Sequence, residues 1–200
     1  MEYYRAGLND VEAIVLMQNQ LTDMLNLNHD PEEEILNEYI KEEIESQEAA
    51  YFIAKVNETT IGVVLVDFSN LIYVDNIEFV ASIPFIFVDE KYRRGAVAYD
   101  LFNLALKEVK QKDKNSLVMS VEDNNPYKFL HFAIADILIE ENEELTEDGK
   151  TKQYILGITD VGKVQQCSFK NFIRNIVNTK KNFSQVLKDF PRAETIEYSL

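Results

Sequence analysis

Residues 88–102 read VDEKYRRGAVAYDLF. An apolar strand runs into a helix through a turn of small residues and two adjacent arginines. A helix beginning near Ala96 leaves its first N–H groups without intrahelical partners. With the positive end of the helix dipole, those donors make an anion site. Gly95, Ala96 and Ala98 let backbone come close to a ligand, and Lys91, Arg93 and Arg94 add positive charge. A phosphate or pyrophosphate suits this chemistry. An ordinary strand-to-helix turn with solvated arginines suits the same residues, and local chemistry leaves the two readings level. Other reactive types are few. Two separated histidines, His29 and His131, and the single cysteine, Cys167, fit no metal-ligand spacing. Cys167 reads as a structural or surface thiol rather than a nucleophile.

The elements that must position this junction follow from periodicity. Residues 2–7 read as a short first strand. A helix follows, with Asn9 as cap, Glu12 completing a capping box, and Val11, Ile14, Val15, Leu21, Met24 and Leu25 as its apolar stripe. A second helix opens with Asp30 as N-cap, beside His29, and Pro31 as first residue. Residues 49–68 form a hairpin turning at Asn57 to Thr60. Ile77 to Val88 is a β-rich stretch in which Pro84, having no N–H, forces a bulge or bend. A helix from Ala96, a strand over SLVMSVE, a short helix over NPYKFLHFAIAD and two closing strands complete the order. The strand–helix–strand around residues 83–121 is a βαβ crossover and implies one parallel pair. The hairpins imply antiparallel pairing elsewhere, so the expected fold is a mixed, mostly antiparallel α/β sheet flanked by helices. Residues 1–160 read as one domain. Residues 161–200 are more basic and read as a helical extension packing on that domain or on a second subunit.

The chain has 200 residues, 46% of them hydrophobic, enough for a sizeable core. No apolar run approaches the roughly 20 residues of a membrane helix, and the N-terminus lacks a signal-peptide pattern. With one cysteine and no intramolecular disulfide, the expectation is a cytoplasmic protein that engages no membrane. A net charge of −15 argues against nucleic acid as partner. It favours a cationic substrate by steering, or serves solubility alone.

RRGAVA (Arg93–Ala98) resembles the signature turn of the GNAT N-acetyltransferase superfamily, Arg/Gln-x-x-Gly-x-Gly/Ala. The flanking FVDEKYRRGAVAYDLFNLALKEVK, the downstream LVMSVEDNNPYKFLHFAIADI and the opening YYRAGLNDVEAIVLMQNQ resemble that family's corresponding strands and helices. The resemblance spans roughly residues 2–158. It implies the GNAT acyltransferase fold and acetyl-CoA as cosubstrate, lying in a splay between two parallel strands. It also implies direct acetyl transfer to an amine, on a small molecule or a protein, and an assembly that is often a homodimer. Carried over, Ile86, Phe87 and Val88 contact pantetheine through their backbone. Arg93, Arg94, Gly95, Ala96, Val97 and Ala98 hold the pyrophosphate. Asn125 lies near the thioester, and Lys128 reaches a coenzyme phosphate or stands exposed.

Three departures from the family pattern stand out. Ala96 replaces the first glycine of the turn. Phe132 replaces a tyrosine that protonates the departing thiolate, and phenylalanine has no proton to give. Pro84 and Phe85 replace strand acids that deprotonate the amine. The remaining candidates for general base are Glu78 and Glu122, and for acid Tyr127 or His131. A surface role for the carboxylates and packing for His131 account for the same residues. A coenzyme A-binding sensor or interaction module without transfer activity is the alternative function.

Overall fold

In the computed structural model, which describes residues 1–25, 33–69, 72–93, 96–146 and 149–198, short apolar runs form strands and the longer 3.6-periodic segments form helices. The order is β1 (Glu2–Arg5), α1 (Val11–Leu25), α2 (Glu33–Ser46), β2 (Ala49–Val56), β3 (Thr59–Asp67), β4 (Ile72–Val74), β5 (Ile77–Phe79), β6 (Ser82–Ile83), β7 (Ile86–Val88), α3 (Val97–Gln111), β8 (Leu117–Glu122), α4 (Lys128–Ile134), β9 (Ile137–Thr146), β10 (Gly149–Ile158), α5 (Val161–Gln165), α6 (Phe169–Lys181), α7 (Phe183–Asp189) and β11 (Ile196–Tyr198). The main sheet runs β1-β2-β3-β6-β8-β10-β9, with β7 also paired to β3. Among the described residues its one parallel strand pair is β6 with β8, Ser82 opposite Val118 and Ile83 opposite Met119. The crossover between them is α3, so the fold is the mixed α/β sheet expected from the sequence.

Strand alternation divides the core between two faces. Phe52, Val64, Ile86, Val88, Met119 and Val121 pack against α3 through Val97, Leu101, Phe102 and Ala105. Tyr51, Ile53, Val63, Leu65 and Phe87 pack against Ile14, Leu21, Leu36 and Ile40 of α1 and α2. Each such side chain, fully buried, contributes roughly 1.5–3 kcal/mol. α3 comes close enough to the sheet only because residue 62 is glycine: a Cβ there would stand 3.0 Å from Leu101 Cδ1 and 3.0 Å from the Phe87 carbonyl oxygen.

Pro84 is exposed and sits between β6 and β7. There the sheet divides, since β6 pairs with both β3 and β8 while β7 pairs with β3 alone. The β2–β3 hairpin turns at Asn57 and Glu58, whose φ values of 48° and 65° make the two-residue turn that suits strand twist. A second hairpin, β4–β5, turns the same way at Asp75 and Asn76, with φ of 48° and 65°. The expected cap of α1 is corrected. The chain makes a 3-10 turn over Leu8–Asp10 first, and the carboxylate that closes it is Asp10, accepting the Gly7 N–H at 3.1 Å. Lys55 Nζ at 2.9 Å and Tyr4 Oη at 3.0 Å hold the other oxygen of the same carboxylate. His29, Asp30 and Pro31 lie outside the described residues.

Residues 161–200 hold a strand as well as the expected helices: β11 pairs with β4, Ile196 opposite Val74. α6 lies on α4. Tyr99, in the first turn of α3, stands edge-on to Phe169 and Phe172 of α6, with ring centroids 5.3 and 4.9 Å away. Phe183 does the same to Phe129 and Phe132 of α4 at 5.3 and 5.0 Å. Among the described residues no helix is long and apolar enough to cross a membrane.

Candidate active site

The site grows from the split at Pro84. Asp89 N–H donates to the Ile61 carbonyl at 2.8 Å and Leu65 N–H to that of Phe85 at 3.2 Å, while Gly62 and Val64 stand opposite Val88 and Ile86. In an antiparallel ladder this pattern turns the N–H and C=O of Ile86 and Val88 away from β3. They face the gap beside β8, and no strand pairs with that edge among the described residues. A strand edge of this kind can pair with an extended ligand chain bearing amides. The edge leads through the junction to α3, whose first N–H groups at Val97 and Ala98 can receive an anion. Ala96 adopts φ −80°, ψ −1°, ordinary helical backbone, so alanine in place of glycine brings no strain here. Arg94 and Gly95 lie outside the described residues.

The structure gathers part of the expected set around Val88. Tyr127 is 6% exposed. Its hydroxyl accepts the Val88 N–H at 2.7 Å and donates to the Val88 carbonyl at 3.0 Å. That carbonyl also accepts Arg93 Nε at 2.8 Å. The Arg93 guanidinium lies over the Phe87 ring, 5.5 Å from its centroid, and reaches Met24 Sδ at 3.2 Å. Arg93 therefore ties the end of β7 to α1. Burial pushes the Tyr127 phenol up, and the nearby Arg93 charge opposes part of that shift.

The turn from β8 into α4 is built by Asn125. Its Oδ1 accepts the Tyr127 N–H at 2.9 Å, an Asx turn that aims Tyr127 at Val88. Its Nδ2 donates to Glu122 Oε2 at 3.1 Å, so Glu122 is held at the end of β8. Glu78 is not brought to this place. It sits on the β4–β5 hairpin, bonded by Tyr73 Oη at 3.3 Å, and its carbonyl accepts the Ser116 hydroxyl. Ser116 precedes β8, six residues before Glu122, about 20 Å along a strand at its usual rise. The expectation for Glu78 as the base is corrected on that ground. Lys128 is neither exposed nor free for a phosphate: it pairs with Asp123 at 2.8 Å, its side chain is 12% exposed, and it lies over Phe129 and Phe183.

Two features here had weaker signals in the sequence. Ser120 is the one polar residue inside the run LVMSV. Alternation places it with Glu122 on the α1 side of β8, and its hydroxyl is buried with no partner. His131 is 2% exposed. Its Nδ1 lies 2.8 Å from the Tyr127 carbonyl, which must accept, so Nδ1 carries the proton. Nε2 is then a lone pair, buried without a partner, and burial lowers the ring's pKa to about 4. A base that weak, enclosed within the protein, does not serve as the acid. Beside the junction on the α1 side, a groove of about 670 Å³ is lined by residues including Gln20, Met24, Phe87, Glu90 and Arg93.

Comparison with known proteins agrees with this architecture. The model of the acetyltransferase (GNAT) family matches residues 17–129. A solved protein of Streptococcus mutans UA159 superposes with a TM-score of 0.64 at 20% identity, covering 80% of this chain and 99% of its own. A ribosomal-protein-alanine N-acetyltransferase of Brucella melitensis gives 0.63 at 11% identity, with 80% and 99% covered. A putative acetyltransferase of Salmonella typhimurium, solved with acetyl-CoA, gives 0.62 at 11%, with 79% and 92% covered. No curated protein matches the chain in sequence.

Proposed function

The chain belongs to the acetyltransferase (GNAT) family, and on that premise we propose that it is an acetyl-CoA-dependent N-acetyltransferase of the cytoplasm, acting on an amine of a small molecule or a protein. The unpaired edge of β7, leading into the first turn of α3, carries the reading. Ile86 and Val88 would hold the pantetheine through their backbone; the expectation for Phe87 is corrected, because its N–H and C=O face Val63 of β3. The first N–H groups of α3, with Arg94 and Gly95 of the signature turn, would hold the pyrophosphate. Bound acetyl-CoA supplies an acetyl group activated as a thioester. Glu122, which accepts from Asn125 Nδ2, would take the proton lost by the amine as its nitrogen bonds to the acetyl carbon, directly or through one water. Phe132 has no proton to return, so the sulfur leaves as thiolate and is protonated from solvent. Holding the amine against the thioester accounts for the rate gain.

The test is the release of coenzyme A thiol from acetyl-CoA across polyamines, aminoglycosides, amino acids and peptide N-termini, with mass spectrometry of the product. Amine-dependent release and a product heavier by one acetyl group are expected. Phe132, and a Tyr127 phenol that burial makes a weaker acid, favour a second reading, a coenzyme A-binding sensor. Binding of acetyl-CoA with no acetylated product from any amine would select it.

A further inference from the structure

We propose that Tyr127 occupies the cosubstrate's own place on β7, so that coenzyme A binds by displacing it. The proposal rests on the acetyl-CoA reading above and names how that site is controlled. An amide of an extended ligand pairs with a strand edge by accepting one N–H and donating to one C=O. The Tyr127 hydroxyl does both to a single residue, accepting from Val88 N at 2.7 Å and donating to Val88 O at 3.0 Å. It does so on the edge of β7 that faces the gap beside β8.

Val88 has no capacity left for a ligand. Its one N–H is given to Tyr127, and the two lone pairs of its carbonyl are taken by Tyr127 Oη and Arg93 Nε. A ligand amide reaches Val88 only when the phenol leaves. The phenol can leave with α4 intact, because Tyr127 is also anchored through its backbone; its buried ring must then rotate out of the core. Its N–H is held by Asn125 Oδ1 at 2.9 Å and its carbonyl by His131 Nδ1 at 2.8 Å, so rotation of the side chain suffices. Ile86, two residues earlier on the same edge, carries no such cap among the described residues, and a ligand chain can pair there first.

The experiment is calorimetric titration of the full chain and its Tyr127→Phe variant with coenzyme A and with acetyl-CoA. Removing the hydroxyl leaves the Val88 N–H and carbonyl without that partner, while the phenylalanine ring must still rotate out as the tyrosine ring does. Two modest hydrogen bonds are then no longer lost on binding, and affinity rises about five- to a hundredfold. In parallel, the wild-type chain carrying 3-fluorotyrosine is followed by fluorine NMR, the Tyr127 signal being the one absent from the variant. Saturating coenzyme A moves that signal from a buried to a solvent-exposed position. Equal or weaker binding by the variant, or a Tyr127 signal unmoved at saturation, overturns the proposal and leaves the acetyl-CoA reading standing. Binding by neither protein overturns both. Should the variant not fold, the other tyrosine signals are assigned by their own substitutions, and the movement of the one remaining decides alone.

Discussion

His131 should make this protein lose stability between pH 7 and pH 5 more steeply than its carboxylates require. The ring is wholly enclosed, its Nε2 meets no donor, and its pKa falls from 6.5 to about 4. Below pH 6.5 the unfolded chain binds a proton at this position that the native state refuses. The stabilisation is therefore complete above pH 6.5 and disappears as pH falls toward 4. The full difference is on the order of 3 kcal/mol, and about 2 kcal/mol of it is lost between pH 7 and pH 5. For a chain of this size that is a fall in melting temperature of about 4–8 °C. The assay compares melting temperatures of wild type and His131→Leu at pH 7 and pH 5. Leucine forfeits the bond to the Tyr127 carbonyl at both pH values, so that loss cancels in the difference. The acidic residues are common to both proteins and cancel too. The variant should show the smaller fall with pH by that amount. Equal slopes would falsify the reasoning, because they would mean that the native ring accepts a proton as readily as the unfolded one.

The other predictions concern the site and its support. Glu122→Gln should lower kcat for amine acetylation by about a hundredfold or more, and the rate should rise with pH as amine deprotonation passes to solvent; an unchanged kcat removes Glu122 from the mechanism. Asn125→Ala should cost about 1 kcal/mol in urea unfolding through the lost turn and should also lower kcat, since Glu122 is no longer held; a stability loss with full activity would make Asn125 a structural residue only. Gly62→Ala should destabilise by roughly 1–3 kcal/mol, because the new Cβ meets the Phe87 carbonyl at 3.0 Å, a backbone atom that yields only if β7 moves. A melting temperature within a degree of wild type would show that the two layers have slack there.

The elements readable from sequence were those with a period long enough to count. α1 and α3 each bury one stripe over 15 residues, and β2 and β3 are apolar runs around an Asn-Glu turn. β4 and β11 span three residues each, too few for alternation to register, and neither buries much by itself. β4 pairs with both β5 and β11, and β11 has β4 as its partner: Asp75, in the turn after β4, also accepts the N–H groups of Glu194 and Thr195 at 3.0 and 2.8 Å. That is tertiary pairing across 120 residues, which local pattern does not encode. The cap of α1 was misread for a related reason. Asn9 lies inside a 3-10 turn that Asp10 closes on the Gly7 N–H, and Lys55, on β2, meets the same carboxylate.

At the site, residue type marked the place and contacts assigned the parts. A proline that cannot pair was legible as a bulge or bend, and the turn of small residues as either an anion site or an ordinary strand-to-helix turn; the split in the sheet came from the pairing of β6 and β7. Arg93 was legible as a positive charge, yet its guanidinium has three neighbours from two elements, the Val88 carbonyl and Phe87 ring of β7 and Met24 of α1, and those make it a fastener of the cleft wall. Tyr127 illustrates the point most sharply. A tyrosine two residues after Asn125 offers a proton by type, which is why it stood among the candidate acids. Its hydroxyl is instead spent on both polar groups of Val88, and burial raises its pKa further from neutrality. A phenol in that position is a poor acid and a good stopper, and an enzyme whose cosubstrate must remove a stopper binds it only when enough is present to do so.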